Sequence, residues 1–240
     1  MTKSDYLEKD TPNFVFKGEN ALLDHGLIIE NELPVITAFP NIEEIKVLGR
    51  SRTLTEWHGD YEPYNYSVED ISIPYENIGK VMRWLRGSGK LITHNDVSKY
   101  VEAKVNMSGP VEYENQWGVF YGFDIEFRCQ PFKYKVAESF IALETGDNII
   151  MDHGMETAKP YFEIDSNGGD IAIEINGRKL TVLNTNVGLL TIDTETGVCS
   201  QPTKKLFTKG YFPSVYPGTN TIKLTGNLKS AKVKLRSVWL

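Results

Sequence analysis

The residues of this chain that could do chemistry are few and dispersed. Its four histidines, His25, His58, His94 and His153, stand singly, and none has the second ligand two or four residues away that a metal-binding strand or helix needs. Each reads as a turn or surface residue. Asp193 and Glu195 alternate so as to share one face of a strand, and a glycosidase requires only two carboxylates about 5 to 10 Å apart. Two solvated acids at a strand end explain the same pair. Asp165-Ser166-Asn167-Gly168-Gly169-Asp170 is oxygen-rich like a calcium loop, yet it lacks the distal glutamate of the helical hand and reads as a turn between two strands. Gly87-Ser88-Gly89-Lys90 resembles half of a phosphate loop, but it follows a helix and so forms no helix-N-terminal cradle. Trp57, His58 and Tyr61 could stack on a sugar or dock on a neighbouring subunit. No nucleophile elbow, zinc-protease helix, P-loop or dinucleotide fingerprint is present. The expectation is a non-enzymatic chain with no catalytic residue, cofactor or metal.

The elements that would carry these residues are mainly β. At 240 residues with 40% hydrophobic content, the chain is long enough for two modest domains with cores of their own. Tyr64 to Ile73 alternates in strand fashion, and Gly, Pro, Asn and Asp clusters punctuate the chain at short intervals. One segment has a helical period: from Asn77 to Arg86, Ile78, Val81, Met82 and Leu85 form an apolar stripe, and Gly87-Ser88-Gly89 stops it. Further strands are expected at Lys90 to Thr93, Val101 to Val105, Val111 to Tyr113 and Val119 to Arg128. Gln130-Pro131-Phe132 should interrupt the last of these, because proline cannot continue a central ladder, and the domain boundary is placed there. The second half holds only strands, at 161–164, 171–175, 179–183, 189–193, 221–224 and 231–239. Asn176-Gly177 marks a two-residue hairpin turn. This half reads as an antiparallel sandwich.

Charge and cysteine usage narrow the partners. The net charge is −6, with no basic cluster denser than Arg50-Ser51-Arg52 or Lys204-Lys205, which argues against direct nucleic-acid binding. The polar stretch from Met1 to Pro12 does not resemble a signal peptide, and no apolar run approaches the roughly 20 residues of a membrane span. A product made in a cytoplasm is expected, with Cys129 and Cys199 reduced and packed.

Two stretches carry more specific information. Lys80 to Leu91 runs from a helix through Trp84-Leu85 into a glycine-rich turn and a strand, and Phe127 to Tyr134 follows some forty residues later. Ile192-Asp-Thr-Glu-Thr196 precedes Lys209-Gly-Tyr-Phe-Pro-Ser-Val-Tyr-Pro-Gly-Thr-Asn-Thr221, in which Pro213, Pro217 and Gly218 set turns ahead of the strand opened by Asn220. Together these resemble the siphophage distal tail protein family of long-tailed, non-contractile phages or prophages of Gram-positive hosts. Val215 stands where leucine is more familiar, one apolar residue for another.

The resemblance implies a structural protein at the distal end of the virion tail: a ring, usually a hexamer, that acts as a baseplate hub. A ring-forming, tube-like N-terminal domain would span 1–131 and a galectin-like β-sandwich 132–240. Its partners would be further copies of itself, the major tail tube protein, a tail-tip or tail-associated protein and the receptor-binding apparatus used in host adsorption. Within the first domain, Arg50, Arg52, Glu56, Trp57 and His58, in a loop from Arg50 to Asp60, together with Trp84, are the candidate subunit or partner interface, since Arg and Trp are favoured anchors. A different reading makes the sandwich a carbohydrate-binding module for wall saccharide, with Tyr161, Tyr211, Phe212 and Tyr216 as an aromatic platform.

Overall fold

The computed structural model describes residues 7–106, 112–202 and 205–240, and divides the chain into one unit of 1–136 with Leu240 and another of 137–239. The first unit is built on an antiparallel sheet with a few short helical pieces. Its strands are β1 (Phe14–Phe16), β2 (Glu19–Asn20), β3 (Ile28–Ile29), β6 (Tyr64–Pro74), β7 (Ser88–Thr93), β8 (Lys99–Val105), β9 (Glu114–Gln116) and β10 (Phe120–Lys135), in the order β2-β1-β7-β8-β10-β6-β3 with β9 beside β10. A separate two-stranded ribbon is formed by β4 (Pro40–Lys46) and β5 (Thr53–Tyr61).

Alternation along β6, β8 and β10 sends Val68, Ile71, Ile73, Val101, Ala103, Phe123, Ile125 and Phe127 into a core that Phe14, Phe16 and Leu91 complete. The expected helix forms as α2 (Ile78–Trp84), entered through a 3-10 turn at Tyr75–Asn77. Its inward face is Val81, Trp84 and Leu85, whereas Met82 points outward at 42% exposure. A shorter helix, α1 (Ala21–His25), has no apolar stripe long enough to be seen in sequence. Asn20 caps it by accepting from the amides of Leu22 and Leu23.

β10 passes through Pro131 without ending. Its pairing with β6 stops at Cys129, and its register against β8 shifts between Cys129 and Lys133, so the missing proline N–H falls inside an irregularity where no ladder bond is lost. Of the expected strand at Val111 to Tyr113, Val111 lies outside the described residues, and Glu112 and Tyr113 precede β9 without joining it.

The second unit comprises β11 (Ile141–Leu143), β12 (Gly146–Asp152), β13 (Tyr161–Ile175), β14 (Arg178–Asp193), β15 (Val198–Ser200), β16 (Phe207–Gly210), β17 (Gly218–Thr225) and β18 (Leu228–Lys234). The strands expected separately at 161–164 and 171–175, and at 179–183 and 189–193, are the two ends of β13 and β14. Asp165 to Asp170 is therefore not a turn between strands. It is the bend at which β13 changes neighbours, from β18 to β17, with a register shift between Gly169 and Ile171. Ser166 and Thr185 hydrogen-bond across this bend at 2.7 Å. The result is two antiparallel layers sharing one long hairpin: Phe162, Ile164, Leu190, Ile192 and Val233 are buried from one, and Ile173, Ile175, Leu180, Val182, Ile222 and Leu224 from the other. At the end of that hairpin Asn176 and Gly177 take φ of 48° and 83°, the expected two-residue turn.

Candidate assembly surface

Five of the six residues expected at an interface come together on the β4–β5 ribbon. The Arg50 to Asp60 segment is not a loop: Arg50 and Arg52 lie at the hairpin tip, while Glu56, Trp57 and His58 belong to β5. The sequence signal was obscured because alternation fails here; both faces carry polar and apolar side chains. The registered pairs Ile42 with Trp57 and Ile45 with Leu54 leave all four apolar side chains exposed, and Leu48 at the tip is 101% exposed. Glu43 stands directly across from Glu56, a like-charge pairing that disfavours an isolated hairpin. The base is fixed instead: Trp57 Nε1 donates to Asp60 O at 2.9 Å, Asn41 Nδ2 donates to Asp60 Oδ2 at 2.8 Å, and Tyr61 meets Phe132 edge-on with ring centres 5.4 Å apart. A two-stranded ribbon with hydrophobic side chains open to water on both faces is only marginally stable by itself, and it offers a surface to a partner.

Trp84 is the exception among the six. It is 4% exposed, its indole N–H donates to Phe16 O at 2.9 Å, and its ring lies between Phe14 (5.7 Å) and His25 (4.0 Å), stacked on both. A tryptophan with its only side-chain donor satisfied inside the core is a packing residue. The histidine expectation also needs correction. His58 and His153 are exposed, but His25 and His94 are each 1% exposed. Their Nε2 atoms lie 2.9 Å from Glu19 and 2.6 Å from Glu32, and among the described residues their buried Nδ1 atoms have no partner. Burial, with Lys80 nearby, holds the His25 imidazole below its ordinary value despite Glu19.

In the second unit, Asp193 and Glu195 are tied to one arginine. Arg236 Nη1 donates to Asp193 Oδ1 at 2.7 Å and Glu195 Oε2 at 3.1 Å, and Nη2 donates to Asp193 Oδ2 at 3.1 Å. That hydrogen-bonded guanidinium holds the Asp193 carboxyl below its usual range. The Arg236 guanidinium lies over Tyr161, 5.2 Å from the ring centre, and among the described residues no ring contact joins Tyr161, Tyr211, Phe212 and Tyr216. Both cysteines are free thiols, and burial raises Cys129 to about 12 and Cys199 to about 11.

No family model matches the sequence, and no curated protein matches it. The solved structures do provide a match. The crystal structure of the SPP1 Dit (gp 19.1) protein, described as a paradigm of the hub adsorption apparatus in phages that infect Gram-positive bacteria, superposes with a TM-score of 0.75 at 12% identity. The match covers 94% of this chain and 99% of that one. The fold is that of a siphophage distal tail protein.

Within the distal tail protein fold, the Lys209 to Thr221 segment acts as a structural knot. Gly210 has φ of 100°, and a Cβ there would lie 2.2 Å from Lys179 O, so only glycine fits. Val215 is fully buried and exchanges backbone hydrogen bonds with Ala158 at 2.8 and 3.0 Å. Asn220 is 1% exposed; it accepts from Tyr216 N and Asn176 Nδ2 and donates to Tyr216 O and Gly218 O. The residues that carried the resemblance are thus held by the fold, and no ligand is needed to explain them.

Proposed function

We propose that this chain is a structural virion protein that forms the ring at the distal end of a siphophage tail tube. The observation that supports this best is the likeness to SPP1 Dit over nearly the full length of both chains. A match of both units in one superposition is harder to reach by convergence than a match of either β unit alone. In this reading the first unit builds the ring, in hexameric form, and continues the tube. The second unit is a galectin-like sandwich that projects outward. The major tail tube protein, a tail-tip or tail-associated protein and receptor-binding proteins are its neighbours, and the β4–β5 ribbon, with Arg50, Arg52, Glu56, Trp57 and His58, is the contact between subunits. Exposed Ile42, Ile45, Leu54 and Trp57, together with the facing Glu43 and Glu56, favour a ribbon whose environment is completed by another chain. The knot at Asn220 and the Arg236 clamp give the Lys209 to Thr221 and Ile192 to Thr196 motifs a folding role, as befits a protein whose work is assembly.

Negative-stain imaging of the purified full chain, across a concentration series, tests the reading. Closed rings with a central channel are the expected result. Monomers at every concentration, confirmed by sedimentation, would overturn it.

A further inference from the structure

Two exposed features of the first unit complement one another, and among the described residues nothing in their own chain fills either. The first is a knob. Trp117 lies at the tip of the β9–β10 hairpin and is 99% exposed, with Val119 beside it at 58%. Gln116 O accepts from Val119 N at 3.1 Å, and Trp117 and Gly118 have φ of 59° and 72°, so a bulky aromatic holds the left-handed first position of a tight turn where Asn or Gly is normal. Behind this tip is a cleft of about 430 Å³ whose lining includes the five carboxylates of Glu30, Asp70, Glu112, Glu114 and Asp124 and no Lys or Arg. Asp70 accepts from Asn31, and Asp124 accepts from the Asp70 amide, but among the described residues no cation pairs with any of the five. Nor, among the described residues, do three acidic, histidine or cysteine side chains converge as a metal ion would need. The charge is spread along a wall, a distribution suited to cations carried on side chains.

The second feature is a socket. At the tip of the β4–β5 ribbon, Val47, Leu54 and Thr53 line an apolar depression edged by Arg50 and Arg52, next to fully exposed Leu48. Neither arginine has an ion-pair partner among the described residues. An apolar hollow edged by guanidinium groups fits an indole ring, which gains from burial and from the cations at its face.

We propose that in the assembled protein the ribbon tip of one copy receives Trp117 of the next, while Arg50 and Arg52 enter the acidic cleft. This rests on the ring reading above and names the surface that receives the ribbon. Because knob and socket lie on different parts of the chain, the contact is head-to-tail, the kind that propagates from copy to copy and closes into a ring.

The test is self-association of the full chain, measured by sedimentation over a range of protein and salt concentrations. R50E/R52E, E112R/E114R and W117A each change solvent-exposed positions, and circular dichroism checks that they fold. Each is expected to weaken association by about tenfold or more, while combining the two charge reversals restores most of it, as a direct charge contact requires. Rising salt should weaken the wild type, and W117A should keep a similar relative salt dependence because its charge pairs survive the loss of the ring; the charge-reversal cycle is the deciding measurement. If the wild type assembles and the variants assemble equally well, or the charge reversals add without rescue, this contact is refuted and the ring reading stands. A wild type that remains monomeric refutes both.

Discussion

At the scale of single residues, the informative side chains are buried amides and ion pairs. Asn220 satisfies both ends of its amide against the Tyr216-Pro217-Gly218 turn and against Asn176, which itself accepts from Thr221 N at 3.0 Å. Removing that amide leaves several groups unpaired, and Asn220→Ala should cost about 3 kcal/mol in urea unfolding. The Arg236 clamp predicts a pH signature. The Asp193 carboxyl is depressed in the folded state, so its contribution is present above the unfolded value near 3.9 and is lost as pH falls through the folded value. Asp193→Asn should therefore lower the urea midpoint at neutral pH, and its difference from wild type should shrink in acid. His25 has the same direction of dependence for another reason. Its folded value lies below the ordinary 6.5, so the chain loses stability as pH drops below that point, and His25→Gln should flatten this part of the profile. The four-histidine pattern in sequence did not reveal which two were buried, because burial of an isolated histidine depends on residues distant in the chain, here Trp84 for His25 and Glu32 for His94.

At the scale of elements, local pattern was sufficient wherever a strand buries one face. β6 and β10 alternate on either side of a bulge at Asp70, where the register between them shifts, and α2 was legible from its spacing and its glycine stop. The face that α2 buries was less legible, since Met82 fits the stripe as well as Trp84 does; only the aromatic stack with Phe14 and His25 makes Trp84 the inward residue. Trp84→Ala should cost about 3 to 5 kcal/mol, measured as a loss in the unfolding free energy of the first unit, whereas Met82→Ala should change little. The breaks were less legible still. Pro131 and Gly168-Gly169 look like ends, yet a bulge absorbs the first, and the second bends β13 from one layer to the other. The Arg50 to Asp60 segment reads as a loop because, with neither face of the β4–β5 ribbon packed, its sequence carries no period.

At the scale of the whole molecule, each unit has a core of its own. Phe14, Phe127 and Trp84 belong to the first, and Phe162, Ile164, Ile173 and Leu224 to the second. A fragment of 137–240 should therefore fold alone, giving a β-type circular dichroism spectrum and one cooperative unfolding transition; a spectrum of disordered chain would refute this independence. The two thiols should react slowly with a disulfide reagent in the native protein and rapidly after unfolding, because burial suppresses the thiolate at both.

Sequence by itself determined the β-rich class, the position of the longer helix and the Asn176-Gly177 turn, which rest on local spacing and on turn residues with restricted φ, and it carried the motifs that resemble the distal tail family. Tertiary structure alone decided which histidines are buried, that Asp193 and Glu195 share one arginine, that Trp84 is core, and that Trp117 and the ribbon tip are left open to water. Those outcomes depend on which distant segments pack together, and one-dimensional order does not encode that in any short window.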